Sequence, residues 1–139
     1  MFIPVVTMVF FKKNKFLLTR RRDSNKEFDR KWQFPGGGWE VNESLEEALK
    51  RETKEELGIE LKEYKFLPKI FEEVREKYHL LFFVFYAPFP KGAKIILNEE
   101  ADKYGWFSLK EIKKIPFLPL IDKILQELEN TLKNSKVKR

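Results

Sequence analysis

Three glutamates, Glu52, Glu55 and Glu56, are the residues of this chain best spaced to do chemistry. In SLEEALKRETKEELGIE, Leu45, Ala48 and Leu49 mark the inward stripe of an amphipathic helix. Steps of three and four residues carry that stripe onto Glu52 and Glu56, with Glu55 beside them. Lys50, Lys54 and Glu47 already supply a polar outer face, so these carboxylates differ from the solvated side of an ordinary Lys-rich helix. Carboxylates at i, i+3 and i+4 repel one another, and one turned toward a core is costly unless a cation compensates it. A divalent cation meets that need. Glutamate oxygens are hard ligands, and Mg²⁺ takes them while leaving positions for waters and substrate phosphates. Just upstream, WQFPGGGWEVNE brings Gly36, Gly37 and Gly38, which allow a tight turn and a close backbone approach, so that a carbonyl adds a further oxygen. Asn42 suits the left-handed turn that such a loop needs before a helix.

The elements that must hold these groups are readable around them. Ser44 with Glu47 three residues on is a capping box, and Gly58 after Leu57 is a stop signal, so the helix spans about residues 45–57. Residues 3–11 (IPVVTMVFF) and 15–20 (KFLLTR) are strands joined by a hairpin at KKN. After the helix, residues 61–74 (LKEYKFLPKIFEEV) and 78–89 (YHLLFFVFYAPF) read as two long strands, the second buried on both faces in its middle. A short strand is expected around residues 104–107, and a helix from near Ser108. Pro116 and Pro119 punctuate a loop before a last amphipathic helix, about residues 119–132, whose apolar face is Leu120, Ile121, Ile124, Leu125, Leu128 and Leu132. Strands with helices interspersed predict a mixed sheet covered on both faces, an α/β/α sandwich.

Composition narrows the setting. A chain of 139 residues with 14 Phe and 3 Trp is one domain, taken as residues 1–132, with enough apolar material for a core. No cysteine is present, so disulfides and thiolate metal sites are excluded, and a reducing, cytoplasmic location is expected. MFIPVVTMVFFKK is too short to span a bilayer and lacks a secretory leader's pattern, so no membrane partner is expected. Much of the formal charge of +6 sits in the tail KNSKVKR, residues 133–139, expected to be a flexible, solubilising terminus rather than a nucleic-acid contact. The single histidine, His79, opens a hydrophobic strand and reads as structural.

The stretch from Gly37 to Ile59 resembles the Nudix box, G-x5-E-x7-R-E-U-x-E-E-x-G-U with U apolar. Here its positions are Gly37, Glu43, Arg51, Glu52, Thr53, Glu55, Glu56, Gly58 and Ile59. Thr53 departs from the apolar pattern, a change of packing rather than of chemistry. LLTRRR before WQFPGGG, and NEEADKYGWFSLKEI later, are similar to the family's second strand and its late acidic loop, strand and short helix. The resemblance implies a Nudix-type α/β/α fold and hydrolysis of a nucleoside diphosphate linked to another group, with Mg²⁺ or Mn²⁺ as cofactor. It implies that the Gly37 carbonyl, Glu52, Glu55 and Glu56 hold metal, with Glu100 as an additional ligand. Arg51 would orient a box glutamate, and Glu43 would steady the loop and helix. Glu52 is the expected general base, a task that Glu99 or Glu100 would share.

Guanidinium groups suit phosphate, and of Arg20, Arg21 and Arg22 the middle one is expected to reach substrate. Phe28, Trp32 and Trp39 flank the same place and are candidates to stack on a base. Lacking the prolines and small residues that mark ADP-ribose and coenzyme A hydrolases, the chain looks like the MutT-like (d)NTP pyrophosphatases, which give NMP and pyrophosphate. Nucleotide-sugar or dinucleoside polyphosphate hydrolysis is the alternative, and RNA-end hydrolysis or simple nucleotide binding a lesser one. The segment IPFLPLI carries no side-chain amide to read a guanine edge, which leaves pyrimidine nucleotides open. A monomer or homodimer acting on a small nucleotide is expected.

Overall fold

The computed structural model describes residues 1–117 and 120–135. FIPVVTMVFFK forms β1 (Phe2–Lys12) and KFLLTRR forms β2 (Lys15–Arg21). Lys13 and Asn14 both take positive φ, 50° and 62°, as a two-residue hairpin turn requires, so the KKN signal is met. These strands stay paired only at Phe11–Phe16 and Lys12–Lys15, and then part. Into the gap comes β4 (Gly36–Gly38), antiparallel to residues 5–7 of β1. Strand β2 takes β3 (Trp32–Gln33) and β7 (Ala101–Phe107) as its own neighbours. Residues 32–38 carry no strand signal in the sequence. Glycine is a poor strand former, and only the partner strands make this stretch extended.

On its other side β1 runs parallel to β6 (Tyr78–Pro88), which pairs antiparallel with β5 (Lys65–Arg75) to complete a mixed, seven-stranded sheet. The central parallel pair is buried on both faces, in unbroken runs at residues 6–11 and 84–87, which parallel strands under two helical layers require. Residues 61–64, expected as strand, precede β5 as a loop, although Leu61 is buried. Strand β7 starts at Ala101, earlier than expected, because β2 pairs with its whole length.

Side chains alternate across β1 and so build two cores. Met8 and Phe10 face helix α1 (Leu45–Leu57), where Leu49 and Leu57 join Leu17 and Phe85. Val9 and Phe11 face helix α3 (Ile121–Ser135), whose Ile121, Ile124, Leu125, Leu128 and Leu132 pack on Phe71 and Val84. Each such side chain, fully buried, contributes about 1.5–3 kcal/mol. A short helix α2 (Leu109–Ile112) opens with a Ser108–Glu111 capping box. The α/β/α arrangement is the one expected. Helix α3 starts later than expected, since Leu120 has a φ of 79° and stands outside it; Pro119 lies outside the described residues. Residues 133–135 continue α3 instead of forming a tail, and residues 136–139 lie outside the described residues. No helix among the described residues is long and apolar enough to cross a membrane.

Candidate active site

Helix α1 places its glutamates as the stripe argument requires. The Ser44–Glu47 capping box starts it, and Gly58, at a φ of 70°, donates its N–H to Lys54 O and ends it. Glu52 and Glu56 are both buried, on the same side as Ala48, Leu49 and Leu57. Thr53 is buried too, its hydroxyl satisfied by donating to Leu49 O at 2.8 Å, which is how an alcohol replaces an apolar residue at no loss. Glu55 is exposed.

The glycine strand lies directly over these acids. A Cβ at Gly37 would fall onto the Glu52 carboxylate, and one at Gly36 would fall onto the Val6 carbonyl oxygen. Gly36 donates its N–H to Glu56 Oε2 at 2.6 Å, a contact that the sequence does not announce. Asn42 has the expected left-handed backbone, φ 69°.

Arg51 joins the glycine loop to the helix. Its Nε donates to Glu43 Oε2 at 3.0 Å and its Nη2 to Glu43 Oε1 at 2.6 Å and Gly38 O at 2.9 Å. Its Nη1 donates to Glu52 Oε1 at 2.9 Å and Glu55 Oε2 at 3.3 Å. Only a planar, five-donor cation spans so many acceptors. Arg51 holds the Glu43 carboxyl down at about 2, helped by the Glu40 N–H.

The two buried acids behave oppositely to Glu43. Burial raises the pKa of Glu52, against the pull of Arg51, with Glu55 and Glu100 adding repulsion. Burial pushes Glu56 up to about 8, the Gly36 N–H only partly offsetting it, and Glu52, Glu100 and Glu55 push the same way. Among the described residues no cation pairs with Glu56. Nor do three acidic groups converge at ligand spacing among them, because Arg51 draws Glu52 and Glu55 to itself while Gly36 holds Glu56. The donor set is nonetheless all hard oxygen, and a buried carboxylate with surplus repulsion fits a divalent cation.

Glu56, Gly36, Gly37 and Glu100 form one end of a cleft of about 340 Å³, a size suited to a small ligand. The cleft also has an apolar lining of Val5, Phe34, Leu80, Phe82, Leu120, Ile121 and Ile124 and is lined by Arg21, Gln33, Arg75 and Arg22, the last beside Glu100, whose carbonyl accepts its backbone N–H at 2.8 Å. A register shift at Arg20/Arg21 separates the three arginines. Arg20 is a bidentate partner of Asp102, at 2.9 and 2.7 Å, and ties β2 to β7. Arg21 lines the cleft as expected, but its Nε and Nη2 are held by Asp23 and its Nη1 by Gln33 Oε1 at 2.8 Å. Arg22 lines the cleft, and among the described residues its side chain makes no hydrogen bond.

The three aromatic residues expected to stack on a base are each engaged with protein neighbours. Trp32 packs edge-on against Phe107 at 4.8 Å, beside the α3-side core. Trp39 packs on Phe83 at 5.4 Å and donates its indole N–H to Glu43 O at 2.9 Å. Phe28 sits by the guanidinium groups of Arg21 and Arg75, 5.9 and 5.0 Å from its ring centre. None of the three lines the cleft. Each is partly exposed and is held by its neighbours. His79 is structural as expected, stacked on Phe2 at 5.0 Å and hydrogen-bonded to Glu72 at 2.8 Å. Gln33 and Arg75 were not singled out in the sequence. Gln33 stands inside WQFPGGG, where the glycines drew the reading, and Arg75 lies on a strand after the helix with no motif around it.

Comparison with known proteins places this geometry. The model of the NUDIX domain matches residues 1–128. The chain is 29% identical over 128 residues to an 8-oxo-dGTP diphosphatase of Buchnera aphidicola, covering 92% of this chain and 94% of that one. It is 28% identical over 107 residues to the nucleoside triphosphatase NudI of Escherichia fergusonii, covering 70% and 75%. In structure it resembles the MutT protein of Methanosarcina mazei, with a TM-score of 0.79, 27% identity, and coverage of 98% and 96%.

Proposed function

This chain belongs to the NUDIX family, and from that membership we propose that it is a divalent-metal-dependent pyrophosphohydrolase converting a (d)NTP and water to NMP and pyrophosphate. The observation that carries this reading is Glu56, a buried carboxylate with no cationic partner among the described residues, in a cleft that Arg22 and Arg75 also line. The similar proteins named above as diphosphatase and triphosphatase support the substrate class.

Glu52, Glu55, Glu56, the Gly37 carbonyl and Glu100 are the residues that would hold Mg²⁺ or Mn²⁺. Bound there, the ion supplies charge neutralisation of the polyphosphate and acidification of a water. Arg51 fixes Glu52 in orientation and ties the glycine loop to the helix, so the carboxylates are arranged before substrate arrives. Glu52, with its pKa raised by burial, is the candidate acceptor of the water's proton. Among the described residues the Arg22 side chain makes no hydrogen bond, and Arg22 takes the phosphate role expected of Arg21. Water adds across the α–β phosphoanhydride bond, giving NMP and pyrophosphate.

A panel of nucleotides incubated with Mg²⁺, with products separated by chromatography, tests the reading. NMP and pyrophosphate are expected from one or more (d)NTPs, and Glu56→Gln should abolish turnover while leaving the melting temperature in place. Inertness of every (d)NTP alongside cleavage of a sugar nucleotide or dinucleoside polyphosphate would overturn the substrate class.

A further inference from the structure

Away from the glutamates, the cleft offers hydrogen-bond donors. Gln33 has its carbonyl oxygen taken by Arg21 Nη1 at 2.8 Å, which turns its amide nitrogen into the available group. Arg75, at the last position of β5 where that strand pairs with Tyr78, is anchored twice. Its Nε donates to Glu73 Oε2, and its guanidinium lies 5.0 Å from the Phe28 ring centre. Among the described residues nothing occupies its two Nη groups, although Arg75 lines the cleft. The result is an anchored guanidinium fork lining the same cleft as the apolar Leu80 and Phe82.

We infer that Arg75 is the base-reading residue of this cleft, and that the substrate's base presents two adjacent acceptors, as do the O2/N3 edge of cytosine and the O6/N7 edge of guanine. This rests on the triphosphate reading above and narrows it. A guanidinium fork donates two parallel N–H groups, so it pairs with two acceptors side by side and repels an edge that carries a hydrogen in either place. Thymine and uracil set N3–H between their carbonyls. Adenine sets its amino group beside N1 and N7, and its N3 is a single acceptor. Guanine oxidised at C8 carries a hydrogen on N7 next to O6. All three are disfavoured by the same fork. Gln33 adds a further donor, its amide nitrogen, which reinforces the preference.

The test is the pattern of kcat/KM over dCTP, dGTP, dTTP, dATP and 8-oxo-dGTP for the wild type and two variants. Glu73 has its other oxygen buried without a partner, so removing Arg75 alone would strand a buried charge. The variants are therefore Arg75→Lys, which keeps the charge but not the fork, and the double change Glu73→Gln with Arg75→Leu. The wild type should favour dCTP or dGTP over the other three by about ten- to a hundredfold. The two arms decide which edge is read. Both variants should bring the ratios toward one. Equal wild-type values across the bases, a preference for 8-oxo-dGTP, or variants that lower every substrate by one factor would each overturn the inference, the last making Arg75 a phosphate contact. Calorimetric binding of dCMP, dGMP, dTMP and 8-oxo-dGMP separates the two failures. A wild type that cleaves no triphosphate refutes the proposed reaction, while the order of monophosphate affinities still decides the role of Arg75.

Discussion

At one end of the cleft, Gly36–Gly38 and helix α1 crowd four carboxylates around backbone groups and a single arginine. A second group in the same cleft, Arg21, Gln33 and Arg75, supplies donors beside an apolar lining, and Arg22 joins the two groups, its backbone N–H bonded to Glu100 O. The acidic group comes from one continuous stretch, residues 36–58, plus Glu100. The basic group is gathered from β2, β3, β5 and the start of α3, which are far apart in sequence. Chemistry that must be positioned finely is built into a local unit whose spacing is set by helix geometry. Recognition is left to strands whose neighbours differ along the chain. The first should govern turnover and the second should govern affinity and choice of substrate.

The strongest way to break that division is at Gly37. A methyl group there meets the Glu52 carboxylate, the movable end of a side chain, so the fold survives while the acid is displaced. Gly37→Ala should lower kcat by about 10²-fold with little change in melting temperature; a normal kcat would show that Glu52 need not sit beneath the loop.

A second, smaller effect separates the two groups by pH. Glu56 is raised from 4.5 to about 8, so without an ion its neutral form stabilises the fold at low pH, and that contribution is lost as pH rises through about 8. A divalent ion must displace this proton. Its affinity should therefore fall by about tenfold for each pH unit below about 8, and Mg²⁺ should raise the melting temperature more at pH 8 than at pH 6. Calorimetry showing the same affinity at both values would remove Glu56 from the ligand set.

The smallest effect sharpens the comparison from the other side. Arg22→Ala should raise KM by about three- to tenfold with kcat nearly unchanged, because an exposed guanidinium binds phosphate equally in ground and transition states. A fall in kcat with unchanged KM would move Arg22 into the chemistry.

Much of this was legible beforehand, and unevenly. The capping box at Ser44, the stop at Gly58 and the turn to glutamate on the inward stripe are local rules, and each is met. The hairpin at Lys13 and Asn14 is likewise local. Legibility failed where a residue's role depends on what lies across from it. Trp32 and Trp39 read as base-stacking because they flank the glycines, yet they make edge contacts with Phe107 and Phe83 and do not line the cleft. Arg21 read as the phosphate ligand, yet Asp23 and Gln33 engage it, and neither partner is marked by any spacing.

From its residues alone the chain dictated an acidic helix under a glycine loop, since a 3.6-residue period and a left-handed stop are properties of neighbours in sequence. The fold added the contacts that have no period: the Gly36 N–H on Glu56, the parting of β1 from β2 that admits the glycine strand, and the delivery of Arg75 and Gln33 to one wall. Those depend on strand partners distant along the chain, and the pairing energy that selects them is shared among many residues rather than written in any one of them.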